Sequence, residues 1–151
     1  MSVGQFCNRE TVIVRKQDSI VETAKLMRQN HVGSVIVVDD QSEFVKPVGI
    51  VTDRDLVLEV LAAEIDPEKV SVGDLTSYEL VTANEDDGLW ETIQRMRTKG
   101  VRRMPVVDRK GQLVGIIAID DLLEILATEL HELTKVIGRE HVREEKTRPP
   151  V

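Results

Sequence analysis

The chain is written twice. Shifted by 69 residues, Glu22-Thr23 falls on Glu91-Thr92, Met27-Arg28 on Met96-Arg97, Val32 on Val101 and Val37-Val38-Asp39 on Val106-Val107-Asp108. The first copy then carries a three-residue surplus in the polar stretch Asp40 to Lys46, where a hairpin loop tolerates insertion. Beyond it the shift is 66, and Val48-Gly49-Ile50 meets Val114-Gly115-Ile116 while Asp55-Leu56 meets Asp121-Leu122. Chance aligns a few apolar residues but does not order these pieces the same way twice. A duplication within 151 residues predicts two small units sharing one core.

Each copy reads β-α-β-β-α, a mixed α/β (α+β) class. Thr11 to Val14 is β-branched and extended. Ser19 with Glu22 forms a capping box that opens a helix through about Asn30, its apolar face marked by Ile20, Ala24 and Met27. Val35 to Val38 is wholly apolar, as a strand buried on both faces would be. Pro47 to Thr52 returns as the next strand, and Asp53 is placed to cap a second helix holding Leu56, Val57, Val60 and Leu61. The second copy repeats this with Leu80 to Ala83, a helix from Asp87 to about Lys99, Met104 to Val107, Leu113 to Ala118 and a helix from Asp120. The expected organisation is an N-terminal segment 1–10, repeat one at 11–62, a linker 63–79 with a helical piece near Val72 to Leu75, and repeat two at 80–127. A helix extension 128–137 and a loose charged tail 138–151 complete it. The stripe Leu122, Leu126, Leu130, Leu133, Ile137 exceeds what one copy needs. Another subunit or the chain's own N-terminal segment is expected to cover it.

Composition narrows the function. A net charge of −7 disfavours a phosphate backbone as partner, and four aromatic residues, Phe6, Phe44, Tyr78 and Trp90, make no base-stacking platform. Trp90 reads as a core or interface residue. No apolar run approaches the roughly 20 residues that span a bilayer, and no signal peptide is visible. The single Cys7 fits a reducing, cytoplasmic setting, and His31, His131 and His141 have no zinc spacing, so no metal is expected.

Two places carry chemistry. Gly49-Ile50-Val51-Thr52-Asp53-Arg54-Asp55 sits where a strand ends and a helix begins, and free N–H groups there favour an anion. The Thr52 hydroxyl and the Asp55 carboxylate suit a phosphate and a ribose cis-diol respectively. Equally, Thr52, Asp53 and Asp55 can serve only as helix caps. In Val101-Arg102-Arg103-Met104-Pro105, two arginines enter a buried strand, which is costly unless they reach water or an anion. Arg102 can be an ordinary surface charge; Arg103, preceding the buried run, is harder to place that way. The first copy has Gly33-Ser34-Val35-Ile36 there, without charge.

These residues, with Gly49 to Leu56, Val101 to Asp108 and the duplication itself, make the chain resemble a tandem pair of cystathionine-β-synthase (CBS) domains, a Bateman module, over about Thr11 to Ala127. Stand-alone prokaryotic CBS-pair proteins are similar in form. The resemblance implies pseudo-twofold packing of the repeats, with two clefts that bind adenosine ligands: AMP, ADP, ATP, NAD or S-adenosylmethionine. The first cleft would join Thr52 and Asp55 to Arg103, Met104 and Pro105. Ile50, Val81 and Met104 would flank the base, and Arg102 or Arg54 would assist Arg103 at phosphate. The weaker second cleft would use Val14, Ser34, Val35 and Asp121, with Ala118 where the family has Thr or Ser. Losing an arginine and a hydroxyl costs about 2.5–4 kcal/mol, on the order of a hundredfold in affinity.

The expectation is therefore a non-enzymatic regulatory module for energy or redox-state signalling. It would act as a homodimer with an unidentified effector protein, and without nucleic-acid or membrane partners. An S-adenosylmethionine sensor or a ligand-independent oligomerisation scaffold is the alternative. No nucleophile–base pair, Gly-rich phosphate loop or metal cluster supports catalysis. A transcriptional regulator is disfavoured by charge and by the lack of a further domain.

Overall fold

A computed structural model describes residues 1–39, 43–76, 79–148 and 150. Asp40 to Ser42 of the loop surplus, Ser77 and Tyr78 of the linker, and Pro149 and Val151 of the tail lie outside them. The chain divides into two compact units, Met1–Ile117 and Ala118–Val151.

In the first unit, α1 (Val3–Phe6) precedes β1 (Ile13–Arg15), α2 (Ile20–Asn30), β2 (Ser34–Asp39) and β3 (Lys46–Thr52). A short helical turn α3 (Asp53–Asp55) runs into Leu56–Leu61, whose wider turns carry i→i+5 bonds such as Ala62 N–H to Val57 O. Two 3₁₀ turns, Pro67–Lys69 and Val72–Leu75, lead to β4 (Ala83–Asn84), α4 (Leu89–Lys99), β5 (Arg103–Val107) and β6 (Leu113–Ala118). The strands form two three-stranded sheets, β1-β2-β3 and β4-β5-β6. β1 is parallel to β2 and β4 to β5, as a β-α-β unit requires, and β3 returns antiparallel to β2.

The two copies are built by the same local devices. Ser19 caps α2 by accepting from the Glu22 N–H, whereas the Glu22 carboxylate pairs with Lys25, so only half the expected capping box forms. The buried hydroxyls of Thr23 and Thr92, 69 residues apart, donate to the carbonyls of Ser19 and Gly88 at 2.8 and 2.9 Å. Both helices end in a left-handed residue, His31 (φ 54°) and Gly100 (φ 68°). Histidine tolerates a region glycine enters freely. β2 is buried from Val35 to Val38, as its apolar run predicts.

The structure extends the duplication backwards. Ser2-Val3-Gly4 and Ser71-Val72-Gly73 also lie 69 residues apart, and each opens a short helical turn. Each turn docks on the other copy. Val72 N–H donates to Asp18 O and Gly73 N–H to Lys16 O, while Val3 N–H donates to Asp87 O and Gly4 N–H to Glu85 O. Val3 and Val72 are both fully buried, and Val72 sits in the first repeat's core with Val14, Ile20, Met27, Val35, Val51 and Val60. What reads in sequence as an N-terminal segment and a linker is a reciprocal exchange of lead-in turns.

The second unit is dominated by α5 (Ile119–Thr147), a helix of 29 residues. It passes through Gly138 and continues well past the expected end at Ile137, so the tail is helical through Thr147. One glycine costs only about 1 kcal/mol in a helix interior, and pairs such as Arg148 with Glu144 support the last turn. Leu130, Leu133 and Ile137 of the expected stripe are 64–70% exposed.

Candidate functional site

β3 ends at Thr52, and the chain turns directly into α3. Thr52 Oγ1 accepts the Asp55 N–H at 3.1 Å, and Asp55 Oδ2 accepts the Thr52 N–H at 2.8 Å. The N-cap is therefore Thr52 and not Asp53, whose carboxylate bonds its neighbour's N–H instead. The reciprocal cap fixes the Asp55 carboxylate at the strand end. Because it uses Oδ2, Oδ1 keeps its lone pairs for a hydroxyl donor. Capping and ligand holding are compatible roles for this side chain.

Asp55 lines a cavity of about 200 Å³. Gly49 and Ile50 of β3, the apolar Leu80 and Val81, and Val101 and Arg103 at the start of β5 line it with Asp55. Thr76 and Glu79 complete the rim. Among the described residues no hydrogen bond or ion pair involves the Arg103 guanidinium, although the residue is half-buried. An anchored carboxylate and an unpaired cation thus share one hollow with apolar sides. That arrangement can hold a flat apolar ring, a diol and an anionic group.

Of the residues singled out in sequence, Ile50, Asp55, Val81 and Arg103 meet at this cavity. Thr52 acts behind it, through the cap. Arg54 and Arg102 are exposed, and Met104 and Pro105 are buried in the core rather than lining the hollow. Thr76 and Glu79 do not stand out in sequence as site residues. Nor does the reason for Gly49: a Cβ there would lie 2.5 Å from Thr76 Cγ2, so only glycine lets Thr76 form the rim. The sequence signal for Thr76 is the repeated Ser-Val-Gly that starts its turn.

Second-cleft residues fall on both units. Val14 and Val35 are 1% exposed and packed in the first repeat's core, which corrects their assignment to a ligand surface. The repeat places Val12, not Val14, at the position of Val81. Cys7 takes the position of Thr76, and a Cβ on Gly115 would meet its Sγ at 2.8 Å, as one on Gly49 would meet Thr76. Within the second unit, Asp121 Oδ2 accepts the Ala118 N–H at 2.9 Å, with no hydroxyl to reciprocate.

The Asp87 carboxyl is displaced from its ordinary pKa, and the cause is structural. Desolvation, the largest influence, pushes it up. The Asn84 N–H, the Arg95 hydrogen bond at 2.7 Å and the Arg95 charge outweigh this, and the group is held below its ordinary value of 3.8. Among the described residues no three His, Cys, Asp or Glu side chains gather as a metal site, and no helix is long and apolar enough to cross a membrane.

Paired three-stranded sheets with exchanged lead-in turns, and a hollow where a strand-end carboxylate faces a cation from the other sheet, define a duplicated ligand-binding module. The CBS domain family model matches residues 3–62 and 72–128, and the chain belongs to that family. Both matches begin at the exchanged turns. The chain is 36% identical over 121 residues to the CBS domain-containing protein YhcV of Bacillus subtilis, covering 80% of this chain and 82% of that protein. It is 36% identical over 125 residues to an uncharacterized protein of Methanopyrus kandleri, covering 83% of this chain and 62% of that relative's length. Among solved structures, a CBS domain protein from Pyrobaculum aerophilum complexed with AMP matches at 25% identity with a TM-score of 0.73, over 85% of this chain and 99% of that one. Hypoxic Response Protein I, solved with two coordinated zinc ions, matches at 27% identity with a TM-score of 0.71, over 82% and 98%.

Proposed function

We propose that the protein is a regulatory module that binds an adenosine nucleotide in the cavity between Asp55 and Arg103. The base lies against Ile50 and Val81, Asp55 Oδ1 accepts from the ribose hydroxyls, and Arg103 meets the phosphate. Arg54 and Arg102, both exposed and adjacent in sequence to Asp55 and Arg103, supply further positive potential. The observation that carries the reading is the shared hollow, with one carboxylate pre-fixed by its cap and one guanidinium left without a partner among the described residues. The AMP complex of the Pyrobaculum relative supports the ligand class. Of the candidates AMP, ADP, ATP and NAD, Glu79 on the rim disfavours the more highly charged polyphosphates. The same carboxylate favours one second reading, S-adenosylmethionine, which carries positive charge. The module works as a homodimer in the cytoplasm and reports occupancy to an effector protein, with ligand affinity differing between two arrangements of the repeats.

Isothermal titration with AMP, ADP, ATP, NAD and S-adenosylmethionine tests this. One dominant AMP site is expected, abolished in Asp55→Ala and weakened at least roughly tenfold in Arg103→Ala, as loss of a charge-assisted bond implies. Full AMP affinity in both variants overturns the placement. Tighter binding of S-adenosylmethionine than of AMP would select the second reading.

A further inference from the structure

Leu122 of the expected stripe is buried at 3% exposure, and the exposed apolar row of α5 starts instead from Ile119 and Leu123. Ile119, Leu123, Leu126, Leu130, Leu133 and Ile137 are spaced 4-3-4-3-4, an unbroken a/d heptad seam with Leu123, Leu130 and Ile137 at a. Five of the six are exposed: Ile119 at 38%, Leu123 at 60%, Leu130 at 65%, Leu133 at 64% and Ile137 at 70%. The flanking g position at Val136 is 61% exposed as well. An ordinary surface helix does not leave its apolar period turned to water.

We propose that this seam pairs with the same seam of a second copy as a parallel two-stranded coiled coil. The inference rests on the homodimer part of the reading above and not on its nucleotide. Three observations select a second copy as occupant. A 3.5-residue period is self-complementary, since knobs at a and d need holes made by the same spacing. Covering these side chains withdraws on the order of 600 Å² per chain, about 1,200 Å² for a pair, the lower edge of stable specific interfaces. The positions beside the seam also carry no opposed like charges in parallel register. Glu129 at g faces Thr134 at e, and Val136 faces His141. The antiparallel register that stacks the same six residues sets Glu129 against its own counterpart.

Sedimentation equilibrium of the full chain should give twice its 17.0 kDa. Leu130→Gln with Leu133→Gln removes two exposed seam residues on which the monomer's fold does not depend. It should weaken the dimer by roughly a hundredfold or more with unchanged far-UV circular dichroism. Orientation is read from Ile137→Cys in a Cys7→Ser background, which should oxidise rapidly to a disulfide-linked dimer only if the strands are parallel. A monomeric wild type, a dimer indifferent to the double substitution, or absence of the Ile137→Cys crosslink overturns the proposal. Unaltered AMP titration in the double variant separates this seam from the nucleotide site.

Discussion

Gly49→Ala tests how the cavity lining is made. The alanine Cβ would stand 2.5 Å from Thr76 Cγ2 and 2.7 Å from Thr76 Cβ, where optimal carbon contacts are about 3.5–4.0 Å. Thr76 cannot easily turn aside. It is β-branched, and its Oγ1 donates to Gly73 O at 2.8 Å within the exchanged turn. Overpacking of this kind costs about 1–3 kcal/mol, and losing that hydrogen bond adds about 1. The expected destabilisation is about 2–4 kcal/mol, a fall in Tm of roughly 4–16 °C for a chain of this size. Urea unfolding followed by far-UV circular dichroism measures it; Trp90, 70% exposed, would be an insensitive probe. Thr76→Gly removes both clashing atoms, so Gly49→Ala should cost at least about 1 kcal/mol less in that background. A Gly49→Ala chain within about 0.5 kcal/mol of wild type, or an undiminished cost in the Thr76→Gly background, would refute the close approach as the reason for this glycine.

Three further outcomes are expected. Ala118→Thr gives Asp121 the reciprocal cap that Thr52 gives Asp55, and should stabilise the chain by about 1 kcal/mol, whereas Thr52→Ala should cost a similar amount; denaturant midpoints decide. Asp87→Asn should cost about 1 kcal/mol near pH 7, given the partial exposure of the Arg95 pair. Because the folded carboxyl lies below its ordinary 3.8, that stability is present above about pH 4 and disappears as pH falls through the lower, folded value. Wild type and variant should therefore converge in acid, and a difference that persists there contradicts the assignment. Val3→Ala and Val72→Ala should each cost about 2 kcal/mol from a fully buried side chain, visible as a single cooperative transition in calorimetry.

Most of the fold is legible in the sequence because the copies vouch for each other. An apolar run such as Val35 to Val38 is ambiguous alone, but beside Met104 to Val107 it reads as the same strand. Asp55 and Arg103 are legible because a strand-end carboxylate and an arginine entering a buried run each demand an explanation. Less legible are features whose cause is remote in sequence. Nothing near Gly49 names Thr76 as its neighbour, and nothing near Val14 distinguishes a core valine from one at a cleft. The helical tail escapes a sequence reading because Gly138 and a charged composition look like a stop, while the helix tolerates one glycine and is supported along its length by neighbouring turns. The wider turns of Leu56–Leu61 have no local sign in a segment of ordinary helix formers.

Under the proposed reading, the exchanged turns give a ligand here a route by which to act as a signal. The cavity takes Gly49, Ile50 and Asp55 from the first repeat, but Thr76 and Glu79 to Val81 follow the turn that belongs to the second and docks on the first. Val72 anchors that turn in the first repeat's core, a few residues before Thr76 reaches the rim. A bound molecule touching Asp55, Val81 and Arg103 would therefore touch the segment that follows one of the two exchanged turns, the one docked on the first repeat. Thr76 meets Gly49 there, and a contact this close leaves little slack. Occupancy can then be coupled to the relation of the halves without any part of the ligand reaching either core.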